Sequence, residues 1–233
     1  MKETLEKIKK RGYWEIIIHP QQFIKERIQS FEMCKQLILE TKVSLRGWDF
    51  PHYDFQHEPT VGGLDYIEQA TDFAGQIEYW RYYQSGQFIF FDGLKEDWLE
   101  EDGFLGRNRF SIEPLTSLEI INTLYLFTEI FEFAARLASK DVLGDSCKIQ
   151  ITLHGAQHRK LIVVDSNRWF PHQYICEIPE IPYEVPTTTL QLLSNSSEMA
   201  LEGIVWLFQR FNWDKVNKDI FKEDQRKFLE KRI

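Results

Sequence analysis

The stretch Arg46-Gly47-Trp48-Asp49-Phe50-Pro51-His52-Tyr53-Asp54-Phe55-Gln56-His57 places two histidines, two aspartates, an arginine and four aromatic residues in twelve positions. Imidazole and carboxylate ligands close together suit zinc, manganese or iron. The same groups serve as general acids and bases. Asp49, His52, Asp54 and His57, with Glu58 beside them, are therefore the candidate catalytic residues. His52, Asp54 and His57 are the candidate metal ligands. In an extended chain His52 and Asp54 share a face while His57 points the other way, and Pro51 and Pro59 interrupt regular geometry. The competing reading is a polar-aromatic loop whose histidines hydrogen-bond locally, and it is the stronger. No cofactor is expected, with a divalent metal ion as the alternative.

Other groups carry weaker signals. His154 and His158 are four apart, the spacing at which a helix brings two imidazoles to one metal. Gly155 stands where a catalytic glutamate would be, and the surrounding residues read as a hairpin. Glu40-Thr41-Lys42 has a nuclease-like Glu-x-Lys spacing, but no aspartate precedes it. Asp92, Glu96, Asp97, Glu100, Glu101 and Asp102 form an acidic run. A calcium loop needs glycine sixth and a ligand first; with Gly103 sixth, Trp98 falls first and the match fails. The run reads as a solvated face or a docking surface for a basic partner, with Trp98 and Phe104 inside it. Gly-x-Ser-x-Gly, Gly-x-Gly-x-x-Gly, Walker and kinase motifs are absent. Two Arg-Gly-aromatic steps, Arg11-Gly12-Tyr13-Trp14 and Arg46-Gly47-Trp48, suggest guanidiniums stacked on aromatics in one pocket. The plainer reading is glycine at a tight strand start, with the tryptophans in the core.

The elements that must position these groups follow from periodicity and breakers. Residues 2–10 read as a charged helix, 13–18 as a strand and 31–41 as a helix capped by Ser30. Residues 43–48 read as extended. Residues 66–71 and 77–83 pair as a meander that turns through Ser85-Gly86 into 88–91. Thr116 with Glu119 forms a capping box for a largely apolar helix to about Ser139, packed on the sheet. Residues 147–154 and 160–165 read as a second, antiparallel hairpin. Pro171, Pro179, Pro182 and Pro186 make residues 171–186 an extended arm that cannot lie at a sheet centre. Helices are expected from Asn195 to about Phe211 and from about Asp214 onward. The expected fold is one α+β domain over 1–233: a mostly antiparallel sheet packed on a long buried central helix, with C-terminal helices.

Composition narrows the function classes. The 18 phenylalanines and 7 tryptophans call for an aromatic core or interface. A net charge of −8 argues against direct binding of nucleic acid, which rewards a basic face. Cys34, Cys147 and Cys176 are scattered and odd in number, which fits a reducing cytoplasm and neither a disulfide framework nor a zinc module. No secretory signal or membrane span is expected, because Met1 to Arg11 is charged and Leu118 to Ala138 holds four charges.

The residues Arg11-Gly12-Tyr13-Trp14-Glu15, His19-Pro20, Phe23, Arg27-Ile28 and Leu45 through His52 resemble a group of uncharacterised bacterial proteins over the first quarter of the chain. Members of that group occur with Schlafen-like or AlbA-type domains. The resemblance implies a place in bacterial regulation or phage defence and assigns no catalytic residue.

The leading expectation is a cytoplasmic accessory subunit, not an enzyme, that binds a protein partner and leaves self-association open. Trp98, Phe104, Tyr174 and Tyr183 are its candidate contacts, with Arg46 and Trp48 as further binding residues. The alternatives are a metal-dependent hydrolase or nuclease centred on His52, Asp54 and His57, and a small-ligand sensor. The sensor would hold its ligand between the meander and the central helix, near Tyr79, Trp80 and Arg81.

Overall fold

Alternation of apolar and polar residues makes Tyr13–Pro20 a strand, β1, that buries Trp14, Ile16 and Ile18 on one face. The computed structural model describes residues 1–101, 112–165 and 168–232. The charged helix α1 (Lys2–Ile8) precedes β1, and α2 (Phe31–Thr41) follows it with Ser30 as its cap. Then come β2 (Thr60–Val61), β3 (Tyr66–Phe73), β4 (Gln76–Tyr83) and β5 (Phe88–Gly93). The predicted meander is present, with Tyr66 opposite Tyr83 and Tyr82 opposite Phe88. Gly86 sits at φ +88° in its second turn, and a Cβ there would lie 2.4 Å from the Val142 carbonyl oxygen, so both backbone and space require glycine.

Two 3₁₀ turns, Lys95–Asp97 and Leu99–Glu101, follow the meander. Next are β6 (Ser117–Glu119), α3 (Ile120–Ser139), β7 (Ser146–His154), β8 (Lys160–Ile162) and β9 (Glu180–Thr188). The chain continues into α4 (Thr189–Gln209) and α5 (Lys218–Leu229). Seven strands form one antiparallel sheet in the order β2-β3-β4-β5-β1-β7-β9. The architecture is α+β. Helix α3 covers one sheet face: Phe127 meets Trp14 edge-on at 5.7 Å, and Phe133 meets Phe88 at 4.7 Å. Helix α4 packs on α3, and α5 on both. On the opposite face Ile8 of α1 joins Ile77, Tyr79, Phe91 and Trp98 in a smaller cluster. Among the described residues no helix is long and apolar enough to cross a membrane.

Several boundaries differ from the sequence-based expectation. The central helix begins at Ile120, four residues late, because 117–119 is drawn out as a strand. Lys160 N–H donates to the Thr116 carbonyl, and the buried Arg159 guanidinium donates to the Ser117 carbonyl. Glu119 caps the helix instead of Thr116, its carboxylate accepting from Asn122 N–H at 2.6 Å.

The second hairpin does not form. β7 lies between β1 and β9, while β8 leaves the sheet and runs parallel to β6. The end of the proline-rich arm joins the sheet as β9. A strand carrying Pro182 and Pro186 is tolerated at an edge, where one row of donors has no strand to meet. Helix α4 starts at Thr189 under a Thr188–Gln191 capping box, and Asn195 marks a kink inside it. The last helix starts at Lys218, capped by Asn217.

Candidate functional site

The site begins with the sheet's parity. Asp92 on β5 stands opposite Glu78 on β4 and opposite Trp14 on β1, so the three side chains share the helix-covered face. Glu78 is in phase with Trp80 and Tyr82, and Asp92 with Phe88 and Phe90. Two carboxylates thus sit where the alternation calls for core residues. Between this row, the 46–48 segment and the first turns of α3 lies a cavity of about 400 Å³. Trp14, Trp48, Leu94, Leu118 and Leu126 supply its apolar lining, and Arg46, Asp92, Lys95, Glu96 and Asn122 its polar groups.

The segment from Trp48 to His57 is tied across β3 and β4 by side chains from the sheet. The buried Glu78 carboxylate accepts from Trp48 Nε1 and from His52 N–H, both at 2.8 Å. Trp80 Nε1 donates to the His52 carbonyl at 2.9 Å. Gln69 donates to the Asp54 and His57 carbonyls and accepts from Asp54 N–H. Arg46 forms a two-point ion pair with Glu129, Nε to Oε1 at 3.1 Å and NH2 to Oε2 at 2.8 Å. That pair fastens the 46–48 segment to the middle of α3.

Four buried or half-buried carboxyl groups dominate the electrostatics. Burial pushes Glu78 up from 4.5 to about 8, and the nearby Asp92 adds to the shift. Burial raises Asp92 from 3.8 to about 7; Arg46 opposes the rise, and Glu129 and Glu96 reinforce it. Glu96 rises to about 7, again mainly through burial, although Glu119 N–H donates to it at 2.7 Å. Glu129 also rises to about 7 through burial, despite Arg46.

Raised folded-state values mean that the folded chain holds protons the unfolded chain has released. This contribution is whole below the ordinary carboxylate range, shrinks as pH rises from there, and is gone once pH has passed through the folded values of about 7 to 8. The melting temperature should therefore fall between about pH 5 and pH 8, and Glu78→Gln should flatten the fall. A melting temperature that holds or rises over that interval in the wild-type chain would contradict this assignment.

The candidate residues read from the sequence are dispersed. Arg46 and Trp48 line the cavity. Asp49 faces away to Lys42 at 2.5 Å. The His52 ring stacks on Trp48 at 3.9 Å, and burial lowers its proton affinity. His57 is bonded to Asp54 at 2.8 Å, and its side chain is 82% exposed. Glu58 pairs with Lys35. The structure brings Asp54 to His57 and His52 to Trp48, but does not converge all four. Among the described residues, no three His, Cys, Asp or Glu side chains group as metal ligands.

His154 lies between Glu15 and Glu180, at 2.9 and 3.0 Å, while His158 turns away at φ +65°. Arg11 stacks over Trp98 at 4.1 Å and does not join Arg46, so the two Arg-Gly-aromatic steps do not build one pocket.

The acidic run is not one solvated face. Glu96 and Asp97 are buried, Asp92 is half-buried, and Glu100 pairs with Arg11 at 2.6 Å. The predicted contact Trp98 is buried under Arg11 and Lys7, because the turn after β5 folds it back onto the sheet. Tyr174 stacks on Trp213 at 5.0 Å, and Tyr183 packs between Phe127 and Trp206. Both are half-buried. Phe104 and Asp102 lie outside the described residues.

Glu78, Lys95, Asn122 and Glu129 were missed as site residues, while Asp92 and Glu96 were read only as part of an acidic run and Trp14 only within an Arg-Gly-aromatic step. The available signal was a charge in phase with core residues on β4 and β5, and a glutamate amid the apolar run of α3. Tyr79, Trp80 and Arg81 do not line the cavity, although it lies between the meander and the central helix as the sensor reading expects. No family model matches the chain, and neither the curated proteins nor the solved structures give a match.

Proposed function

We propose that this chain is a small-molecule-binding protein of the sensor type, with its ligand seated between Trp14, Trp48 and the start of α3. The observation that carries the reading is the cavity of about 400 Å³, with apolar and aromatic walls and a few convergent polar groups. Ligand sites share that composition. The cavity walls also link the elements around them: Arg46 reaches α3 through Glu129, and Trp48 reaches β4 through Glu78. A ligand against Trp48 would bear directly on the segment that spans the sheet.

Asn122→Phe tests the reading. Asn122 caps nothing with its side chain; its backbone N–H makes the bond to Glu119, so the larger ring fills the cavity and spares the cap. Metabolites that raise the wild-type melting temperature should lose that effect in the variant, because a ligand stabilises only a fold that binds it. Equal stabilisation of both proteins would move the ligand elsewhere.

A second reading, an accessory subunit of a bacterial regulatory or defence complex, has its own support. Phe23, Leu64, Trp169 and Leu190 are each at least 75% exposed, and they are the side chains a partner surface would have to gather into one patch. A stoichiometric partner retained on the tagged chain from its native host supports this reading, and a chain recovered alone removes it.

A further inference from the structure

Four carboxylates surround or back the cavity, and three are already satisfied. Both Glu78 oxygens accept hydrogen bonds, from His52 N–H and Trp48 Nε1. Both Glu129 oxygens accept from Arg46. Glu96 accepts from Glu119 N–H. Among the described residues no donor bonds the Asp92 carboxylate, which lines the cavity directly.

The cations nearby leave it in that state. Arg46 is held by Glu129. Lys95 also lines the cavity, and its charge acts on Asp92 through space without a direct ion pair. A half-buried carboxylate without a protein donor is left to solvent or a ligand for its hydrogen bonds, and a charge-assisted hydrogen bond is among the stronger contacts a ligand can make. Trp14 and Trp48 stand on the same cavity, and indole is the aromatic group most favourable to organic cations.

We infer that the ligand carries an organic ammonium group and that Asp92 is the residue that receives it. This inference rests on the cavity reading above and adds the chemical class. The volume holds a small aliphatic or amino-acid-sized cation, with its apolar part against Leu94, Leu118 and Leu126. An anionic ligand would meet Asp92 and Glu96 across the cavity and would bring no donor to Asp92.

The experiment compares choline with 3,3-dimethyl-1-butanol, and butylamine with 1-butanol, on the whole chain at pH 8. Each pair matches shape and differs in charge. Binding is read by titration calorimetry on the wild type, Asp92→Asn and Asn122→Phe. The expected result is that a cation binds the wild type more tightly than its neutral isostere, and that Asp92→Asn weakens the cation by about ten- to a hundredfold while leaving the isostere unchanged. Asn122→Phe should abolish both. If the neutral isosteres bind as well as the cations and Asn122→Phe still abolishes them, the cation assignment is overturned and the cavity reading stands. If Asn122→Phe changes nothing, or no probe binds, both are overturned. The isostere comparison needs no variant at Asp92, so it decides the matter even if Asp92→Asn is poorly folded.

Discussion

Replacing Arg159 with alanine should destabilise the chain by about 3–5 kcal/mol, the usual cost of removing one partner from a buried ion pair. Arg159 and Asp97 are both fully buried. NH1 donates to Asp97 Oδ1 at 2.8 Å and to the Ser117 carbonyl at 2.8 Å, while NH2 meets Asp97 Oδ2 at 2.5 Å. Nε donates to the Gly155 carbonyl at 2.7 Å. Asp97 completes its shell by accepting from Gly12 N–H and Leu115 N–H.

This one side chain therefore joins the start of β1, the turn after β5, β6 and the loop after β7. It also explains the Arg-Gly step: a Cβ on Gly12 would lie 2.2 Å from the Arg159 guanidinium. Without Arg159 the Asp97 carboxylate is left buried with two backbone donors, and two carbonyls lose their partner. Urea unfolding measures the loss. Lysine at 159 should not rescue it, because a single ammonium cannot reproduce the planar fork. A cost below about 1 kcal/mol would place the pair among the weak surface bridges and refute this account.

Phe127→Ala should cost about 3–5 kcal/mol as well, through lost burial and the hole left behind. Phe127 is fully buried at the centre of α3. Its ring meets Trp14 edge-on at 5.7 Å and Tyr183 at 6.3 Å. Helix α4 is close enough that a Cβ on Gly203 would lie 2.9 Å from it. The truncation opens a void next to Trp14, which walls the cavity, so affinity for the proposed ligand should fall along with stability. Phe127→Leu keeps most of the volume and should lose far less of either. If the two variants prove equally stable in urea, the void does not drive the loss.

The α+β class, the meander and the central helix were legible because each rests on local periodicity. Residues 66–83 alternate, 120–139 are apolar nearly all round, and Ser30 caps its helix as its type requires. That Arg46 and Trp48 can hydrogen-bond and stack was legible too, from their residue types.

The partners of those residues were not. Glu78, Asp92, Glu96 and Glu129 come from two strands, a turn and a helix, and only folding brings them within electrostatic reach of one another, with Asp92 and Glu96 on the cavity wall. Period-two alternation marks which face a strand residue occupies but not what stands opposite it. Asp97 looked like one member of an acidic surface run until Arg159, 62 positions away, claimed it. Likewise 147–154 and 160–165 had the spacing of a hairpin, but β7 found better neighbours in β1 and β9.

The sequence by itself determined the α+β class, the meander strands and the approximate helices, because these follow from propensity and parity along the chain. The tertiary structure decided which charges are buried and which are matched, and it left Asp92 on the cavity without a donor among the described residues. Those outcomes depend on contacts between segments distant in sequence, and no local pattern encodes them.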